Sequence, residues 1–307
     1  MPSQPLILWR FLDGKPGHEK QTLGLSHALV KLASVQVHDI VSGSRWRAAL
    51  RWLAGTFPPG TDLPRPDLLL VAGHGSHFAG LAARRVYGGK LVALMRPGLP
   101  VDWFDLCLVP EHDQPKISKH VITTRGALNA VESGGPHRPG EGLILVGGSS
   151  EHFAWDDSAV IEQVRQLAEG HPEIRWRLTT SRRTPSTFIS ALQAHGPANL
   201  TILSHTETPA GWVEETLGQV QQAWVTEDSV SMLYEALTAG CHVGLLRLSR
   251  KSAGRIAQGV DKLLADGWVT PMEGWRAGIC PSPPRGTFNE AERCARLILE
   301  KWFPRAA

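Results

Sequence analysis

The segment Ala-Trp-Val-Thr-Glu-Asp-Ser-Val-Ser-Met-Leu-Tyr-Glu-Ala at residues 223–236 joins a short apolar run to a helical pattern through a polar turn. A helix that starts at this turn presents unpaired backbone N–H groups and the positive end of its dipole, which favour an anion such as phosphate. Asp228 lies in the turn, and Ser229 and Ser231 can cap the helix or donate hydroxyls to the anion. Glu235 follows about one and a half turns later, where a carboxylate can accept from two vicinal hydroxyls. The segment therefore fits either a nucleotide site or a capped amphipathic helix with a solvated glutamate.

Units of this kind recur along the chain. Short β-rich runs alternate with helical patterns, which is typical of parallel sheets with crossover helices. The first half contains predicted strands at Leu6–Trp9, Val35–Ile40, Leu68–Ala72, Lys90–Met95 and Leu106–Val109, and helices at Lys20–Leu32 and Ser76–Tyr87. The second half contains predicted strands at Leu143–Val146, Arg175–Thr179, Leu200–Leu203, Ala223–Val225 and His242–Leu246, and a helix near Asp157–Glu169. We therefore expect two doubly wound α/β domains that face one another.

A cluster of glycines and prolines marks the predicted domain boundary. Ser133–Gly142 is the strongest helix- and strand-breaking stretch in the chain, and the strand pattern restarts directly after it. The predicted domains are residues 1–135 and 141–288. A final helix within residues 289–307, at Glu290–Phe303, is expected to pack back on the first domain.

Composition narrows the class of protein. The 307 residues carry a net charge of +3, which is too small to indicate nucleic-acid binding. The four cysteines form no Cys-x-x-Cys pair, so neither a zinc site nor a disulfide framework is expected. No apolar run approaches the roughly 18 residues of a membrane span, and no signal-peptide pattern precedes the first strand. These features predict a soluble or at most peripheral protein of the reducing cytoplasm.

A glycine-bearing loop follows the first predicted strand. It reads Asp-Gly-Lys-Pro-Gly-His-Glu-Lys-Gln at residues 13–21, and matches neither the Gly-x-Gly-x-x-Gly nor the P-loop pattern. Its glycines, Gly14 and Gly17, permit close approach of a ligand, and Lys15 adds a cation. His18 can act as a general base, because its ordinary pKa lies near working pH. Spacing alone equally allows Asp13 and His18 to cap the following helix.

Two further loops lie at expected carboxyl edges of the sheets. Gly-His-Gly-Ser-His at residues 73–77 places His74 and Ser76 beside the first loop. His74 and His77 lack an obvious carboxylate partner, so no metal is expected there. In the second half, Gly147-Gly148-Ser149-Ser150 supplies backbone N–H groups suited to a diphosphate. No Asp-x-Asp occurs, which leaves helix N-termini and the candidate cations to stabilise a leaving diphosphate. These cations are Arg182, Arg183 and Lys251.

Residues Arg45–Leu53 form a basic, aromatic helical pattern. Trp46, Leu50 and Leu53 fall on one helical face, beside arginines. Such a face can seat a helix at an anionic membrane surface, or it can pack against its own domain.

Two stretches together resemble the signatures of the ELM1 family. They are the loop at residues 13–21 and Val-Thr-Glu-Asp-Ser-Val-Ser-Met at 225–232, followed by Glu235-Ala236. The similarity runs the length of the chain. Plant members of the family are linked to mitochondrial fission, whereas bacterial members are regarded as glycosyltransferases of the GT-B fold, some connected with lipopolysaccharide core assembly. The resemblance implies two Rossmann-like domains with an active site in the cleft between them.

The resemblance also implies roles for particular residues. In GT-B transferases the C-terminal domain holds the donor nucleotide, and an acidic residue on a helix binds its ribose. Glu235 matches that position, and Gly148, Ser149 and Ser150 match the diphosphate loop. The N-terminal domain supplies acceptor contacts and, in inverting enzymes, a base; His18 or Asp13 would fill that role.

We therefore predict a metal-independent transferase that moves a sugar from a nucleotide sugar to a glycan or lipid-linked acceptor. It would need no cofactor, would bind no nucleic acid, and would work in the cytoplasm or at the inner membrane face, in contact with anionic lipid. Two alternatives stay open. One is a nucleotide-sugar epimerase that uses Asp13 or His77 as a second acid–base group. The other is a non-catalytic adaptor that keeps the fold and recruits a partner to a membrane.

Overall fold

The computed structural model describes residues 4–252, 254–276 and 278–304. The strands are β1 (Leu6–Leu12), β2 (Val35–Val41), β3 (Leu68–Ala72), β4 (Lys90–Leu94), β5 (Leu106–Pro110), β6 (Val121–Thr124), β7 (Arg138–Val146), β8 (Phe153–Ala154), β9 (Arg175–Thr180), β10 (Leu200–Leu203), β11 (Val220–Thr226), β12 (His242–Leu246), β13 (Ser249–Arg250) and β14 (Thr270–Pro271). The helices are α1 (Pro16–Leu32), α2 (Arg45–Ala54), α3 (His77–Tyr87), α4 (Asp157–Gly170), α5 (Ser186–His195), α6 (Trp212–Leu217), α7 (Val230–Ala239), α8 (Arg255–Ala265), α9 (Met272–Arg276) and α10 (Glu290–Trp302).

The chain divides into two compact units. Unit 1 comprises the described residues up to Ala130 together with those from Glu290 onward, and unit 2 comprises Val131–Asn289. Helix α10 packs on α1, and its Ile298 and Leu299 join the core of unit 1. Unit 1 is thus completed by the C-terminal part of the chain.

Unit 1 contains a parallel sheet in the order β2-β1-β3-β4-β5-β6. Every residue of β3 is buried, because helices cover both faces of the sheet. Leu68 and Leu70 point to the core that α1 and α10 close. Leu69 and Val71 point to the opposite core, which α3 closes. The continuous apolar run of β3 is therefore explained by burial on two sides.

Unit 2 repeats the architecture with the order β10-β9-β7-β11-β12-β14, again parallel throughout. Leu143 and Leu145 of β7 face the core beneath α7, whereas Ile144 and Val146 face the core beneath α4 and α5. A short antiparallel pair, β8 with β13, lies apart from this sheet. The predicted pair of doubly wound α/β domains is present.

Several predicted element boundaries were wrong. Helix α1 begins at Pro16 rather than Lys20, because proline is well suited to the first turn of a helix. Strand β7 starts at Arg138, inside the predicted linker. Its pairing with β11 shifts register between Val220 and Gln222, which accommodates the nearby Pro139. Strand β6 was missed altogether.

Two glycines in the sheet of unit 2 lie opposite tryptophans of neighbouring strands. Gly142 of β7 pairs with Trp176 of β9, and Gly244 of β12 pairs with Trp224 of β11. A Cβ atom on either glycine would lie 2.2 Å from its tryptophan ring. Both rings are almost completely buried, so the indoles occupy the space that the glycines leave.

We expect Gly244→Ala to destabilise the protein. The added methyl group overpacks the core against Trp224, a change that typically costs about 1–3 kcal/mol. Gly259→Ala in α8 is the matched control, since no atom lies within 4 Å of its added Cβ. There, alanine should stabilise the helix by up to about 1 kcal/mol. Urea unfolding of both variants measures the difference, and equal free energies of unfolding would contradict the packing described here.

Candidate functional site

The winding of each sheet places one pair of loops where ligands of open α/β sheets bind. In unit 1 the chain runs from β1 outward to β2 and then returns to β3 on the other side, so the switch point lies between β1 and β3. Loops that leave the carboxyl ends of these two strands diverge and open a crevice. Asp13 follows β1, and Gly73 and His74 follow β3. The two loops predicted from sequence in unit 1 therefore meet at one sheet edge.

Asp13 and His18 form a hydrogen-bonded pair at this edge. The Nδ1 atom of His18 lies 2.8 Å from Oδ2 of Asp13. The Asp13 side chain is only 3% exposed and that of His18 is 23% exposed. A carboxylate in this position accepts from Nδ1–H, so Nε2 is the ring nitrogen that can take up a proton. The geometry is that of a general base oriented by a buried acid.

The β3 loop holds this pair in place through two glycines. A Cβ on Gly73 would lie 2.1 Å from the His18 ring, and one on Gly75 would lie 3.0 Å from Cβ of Asp13. Gly73 also has a φ of +72°, which side-chain-bearing residues rarely adopt. Sequence reasoning did not find this role, because it arises from contact between segments about 55 residues apart, and no local pattern encodes it.

The other residues predicted for this site have different surroundings. Gly14, Lys15 and Gly17 are exposed, and the Gly14 N–H donates to Glu19. His74 is exposed and lies over Gly98, where an added Cβ would come within 2.2 Å of its ring. The Lys15 N–H donates to Oδ1 of Asp13 at 3.2 Å, and Gly14, Gly17 and His74 line the surface of the loops.

Ser76 and His77 are buried. The Ser76 hydroxyl donates to the carbonyl of Ala72 at 2.8 Å, so it closes the turn. Burial is the main cause that lowers the pKa of His77 from 6.5 to about 4; the nearby His74, Arg45 and His18 act in the same direction, and Asp13 opposes them. His77 is therefore neutral near pH 7, and no described residue bonds either of its ring nitrogens. At 2% exposure it is not accessible as the second acid–base group that an epimerase would need.

In unit 2 the switch point lies between β7 and β11. The Gly147–Ser150 loop leaves β7 there, and the Glu227–Ser229 turn leaves β11. The Gly147 N–H donates to Oγ1 of Thr226 at 2.8 Å, and the Gly148 N–H donates to Oδ2 of Asp228 at 3.0 Å. Two of the loop amides that were predicted to receive a diphosphate are thus engaged by side chains of the neighbouring strand and turn.

Two cations converge on the Gly147–Ser150 loop. Arg183 contacts Oδ2 of Asp228 at 2.7 Å and donates to the carbonyl oxygens of Gly148 and Ser149, both at 3.3 Å. Lys251 donates to the carbonyl oxygen of Ser150 at 3.0 Å. Both residues were among the cations predicted to stabilise a diphosphate. No such contact of the neighbouring Arg182 with the loop occurs among the described residues.

Helix α7 supplies the remaining predicted donor-site residues. Ser229 is its N-cap residue, although the side chain makes no capping hydrogen bond within the described chain. Ser231 is exposed. Glu235 lies one turn beyond Ser231 on the same side of the helix and is 7% exposed. The Asp228 carboxylate keeps one oxygen, Oδ1, buried and without a described partner. A polar ligand here would meet both serines and this carboxylate.

Sequence reasoning overlooked Glu227. Its side chain is fully buried and binds Arg247 at 2.5 Å, Arg250 at 3.2 Å and the Leu248 N–H at 3.0 Å. Arg250 in turn binds Asp261 of α8. A buried carboxylate between two guanidinium groups ties the end of β11 to the segment after β12. It therefore fixes the turn that carries Asp228 and Ser229.

No metal cluster is evident at either edge. Across residues 4–252, 254–276 and 278–304, no group of three or more histidine, cysteine, aspartate or glutamate side chains is placed to hold a metal ion. The same described residues include no helix long and apolar enough to cross a membrane.

A profile of the family described as mitochondrial fission ELM1 matches residues 16–302. The chain belongs to this family. The matched span runs from the first residue of α1 to the last residue of α10, and so includes His18, the Gly147–Ser150 loop and Glu235. An uncharacterized Rickettsia prowazekii (strain Madrid E) protein is 22% identical over 57% of this chain and 63% of that protein. The ELM1-family chain thus spans less than two thirds of that relative's length.

Solved structures share the fold of this ELM1-family chain. A Listeria monocytogenes protein assigned as a UDP-N-acetylglucosamine 2-epimerase has a TM-score of 0.62 at 16% identity, covering 99% of this chain and 98% of that one. The Neisseria meningitidis UDP-GlcNAc 2-epimerase bound to UDP-GlcNAc scores 0.53 at 12% identity, covering 96% and 98%. The glycosyltransferase SnogD of Streptomyces nogalater scores 0.50 at 12% identity, covering 97% and 96%. The fold is therefore GT-B-like, with two Rossmann-like domains.

We expect Gly73→Ala to displace the His18 imidazole as well as to strain the backbone. Gly43→Ala is the control, because Gly43 has a similar φ of +67° and no atom within 4 Å of an added Cβ. Both variants should lose roughly 1–2 kcal/mol from the positive φ. Only Gly73→Ala should in addition shift the His18 ring resonances in an NMR pH titration. Identical His18 titration in the two variants would contradict the contact.

Proposed function

We propose that this ELM1-family protein is a metal-independent glycosyltransferase whose unit 2 binds the nucleotide of a sugar donor. The observation that carries the proposal is the convergence of Arg183 and Lys251 on the loop after β7, beside the N-terminus of α7. Cations and a helix N-terminus at a switch point favour a diphosphate. Glu235 of α7 is proposed to bind the ribose hydroxyls, and Ser229 and Ser231 to donate to the phosphates.

His18 is the proposed base. It would remove the proton from the acceptor hydroxyl while that oxygen attacks the anomeric carbon of the donor sugar and the bond to the diphosphate breaks. Asp13 would stabilise the resulting imidazolium through its hydrogen bond to Nδ1. Arg183 and Lys251 would stabilise the negative charge that develops on the leaving diphosphate. In this scheme no metal is needed, since side chains and the helix dipole supply the positive field.

Asp228 places a condition on donor binding. Its carboxylate occupies the Arg183 guanidinium and the Gly148 N–H, which are groups that a diphosphate would use. Two anions compete for one cation, so a diphosphate has to share Arg183 with Asp228 or displace it. Removal of the Asp228 charge should therefore strengthen binding of the diphosphate.

The proposed acceptor is a glycan or a lipid-linked sugar, in keeping with a step of lipopolysaccharide core assembly. We place the protein in the cytoplasm, with peripheral contact to the inner membrane face. The nucleotide-sugar substrate of the proposal is supported by neighbours whose structures hold UDP or UDP-GlcNAc.

We expect Arg183→Gln to weaken nucleotide binding. Loss of one charge-assisted contact to phosphate costs about 1.5–3 kcal/mol, or roughly tenfold or more in Kd. Thermal shift against UDP, GDP, CMP, ADP and their sugar conjugates, without metal, identifies the nucleotide, and titration calorimetry gives its Kd. Glu235→Gln should lower affinity for the same nucleotide.

Two variants control this measurement. Arg182→Gln removes the same charge from the adjacent position and should leave the Kd within about twofold. Asp228→Asn should tighten binding of a nucleoside diphosphate but not of the nucleoside. If no nucleotide shifts the melting temperature, or if Arg182→Gln and Arg183→Gln weaken binding equally, the donor-site assignment is wrong.

We expect His18→Ala to abolish most turnover without altering donor affinity. General base catalysis contributes about 10²–10⁴-fold to a rate, so kcat should fall by that order. His27→Ala is the matched control, because His27 is exposed on the same helix. The rate of sugar transfer to a membrane extract that contains the acceptor gives kcat for both variants. Equal rates in His18→Ala and wild type would remove His18 from the mechanism.

The rival activities are separable by simple assays. An epimerase would convert a nucleotide sugar without acceptor, whereas the proposed transferase would at most hydrolyse it slowly. A non-catalytic adaptor would tolerate replacement of Asp13, His18 and Glu235 with no loss of function in the cell.

A further inference from the structure

Helix α2 presents an exposed apolar face. Trp46, Leu50 and Leu53 are 80%, 65% and 65% exposed. Their spacing of four and three residues places them on one side of the helix. Val41, at the end of β2, is 75% exposed and adds a fourth apolar side chain near the start of the helix. Exposure of a tryptophan and two leucines side by side to water is energetically unfavourable, and a contiguous apolar patch of this kind indicates an interaction surface.

The opposite side of α2 is firmly packed. Ala48 is buried, and the Trp52 ring packs against Phe78 at 5.8 Å and Trp103 at 5.1 Å between ring centroids. Arg85 of α3 donates to the Trp52 carbonyl at 3.0 Å. Gly55, in the left-handed conformation, ends the helix. Packing of α2 against its own domain therefore involves only the Trp52 side of the helix. The Trp46 side faces solvent.

The charge on this helix has one sign. Arg45, Arg47 and Arg51 flank the apolar residues, and no acidic residue occurs between Arg45 and Ala54. An aromatic and aliphatic face bordered only by arginines matches a bilayer interface, where acyl chains lie beneath anionic headgroups. A partner protein would have to supply an equally acidic rim around an apolar groove.

We propose that the Trp46 face of α2 docks this protein on an anionic lipid bilayer. Trp46, Leu50 and Leu53 enter the boundary between headgroups and acyl chains, and Arg47 and Arg51 bind lipid phosphates. Trp52 of α2 packs on Phe78, in the first turn of α3, so the helix that carries the docking surface lies beside the end of the β3 loop, whose Gly73 contacts His18. If the protein is the proposed glycosyltransferase, on which this step rests, docking of α2 brings a lipid-linked acceptor close to His18, the proposed base.

Vesicle sedimentation tests the docking surface. The full-length protein is incubated with vesicles of phosphatidylcholine alone, and with vesicles in which roughly one third of the lipid is phosphatidylglycerol. We expect binding to the anionic vesicles only. The double variant Trp46→Ser/Leu50→Ser should lower the bound fraction about tenfold or more, and Arg47→Gln/Arg51→Gln should lower it and abolish its dependence on salt.

The control variant is Ile117→Ser/Ile279→Ser. These isoleucines are 104% and 57% exposed and lie outside α2, so their replacement should leave vesicle binding unchanged. All variants should keep the wild-type melting temperature, because every altered apolar side chain is exposed. Absence of wild-type binding, or equal loss in the control and the Trp46→Ser/Leu50→Ser variant, overturns the proposal. The two proposals can fail separately. If the wild-type protein binds anionic vesicles through α2 but binds no nucleotide, the docking surface is supported and the glycosyltransferase proposal is wrong.

Discussion

Each sheet changes its winding direction once, and the chemistry-bearing loops depend on that change. A parallel strand needs a crossover to reach its neighbour, and crossovers are right-handed, so a reversal of strand order puts successive helices on opposite faces of the sheet. The loops at the reversal leave strands that are not consecutive in the chain, and their residues contact one another there. In unit 1 these are the loops of Asp13 and Gly73, and in unit 2 those of Gly147 and Asp228. The apolar cores on both faces of each sheet fix the positions of the strand ends that carry these loops.

The two edges use their carboxylates differently. Asp13 faces an imidazole, which can be neutral or protonated, so the pair is able to take up and release a proton. Asp228 faces Arg183, whose charge is permanent, so that pair can only exchange one anion for another. The first arrangement suits proton transfer and the second suits reversible binding of an anion. This division matches the roles that the proposed reaction assigns to the two units.

The sequence predicted what periodicity and glycine placement encode. Strand Leu68–Ala72 was predicted with the observed bounds, because continuous burial leaves an unmistakable apolar run. Strands Leu200–Leu203 and His242–Leu246 were also predicted with the observed bounds. The edge strand β6 was missed, since its four residues are too few to show an alternation of apolar and polar positions. The family signature and the fold were likewise accessible from sequence.

Contacts between distant segments were not predictable. The spacing of Asp13 and His18 allowed both capping and catalysis, and only the approach of Gly73 favours an oriented pair. Nothing in the local pattern distinguishes Arg183 from Arg182, since both are exposed and adjacent. The sequence analysis gave no role to Glu227, whose carboxylate is buried between two arginines. Each of these assignments depends on which loops the sheet order brings together.

The glycine–tryptophan pairs of unit 2 restrict how this sequence can diverge. The Trp224 ring needs the bare backbone of Gly244 on the next strand, and the Trp176 ring needs that of Gly142. A larger residue at either glycine position becomes acceptable only when the partner indole has been replaced by something smaller. Substitutions within each pair should therefore be non-additive, with the second change recovering much of the stability lost in the first. Across related chains, positions 142 and 176, and positions 244 and 224, should accordingly vary together in volume.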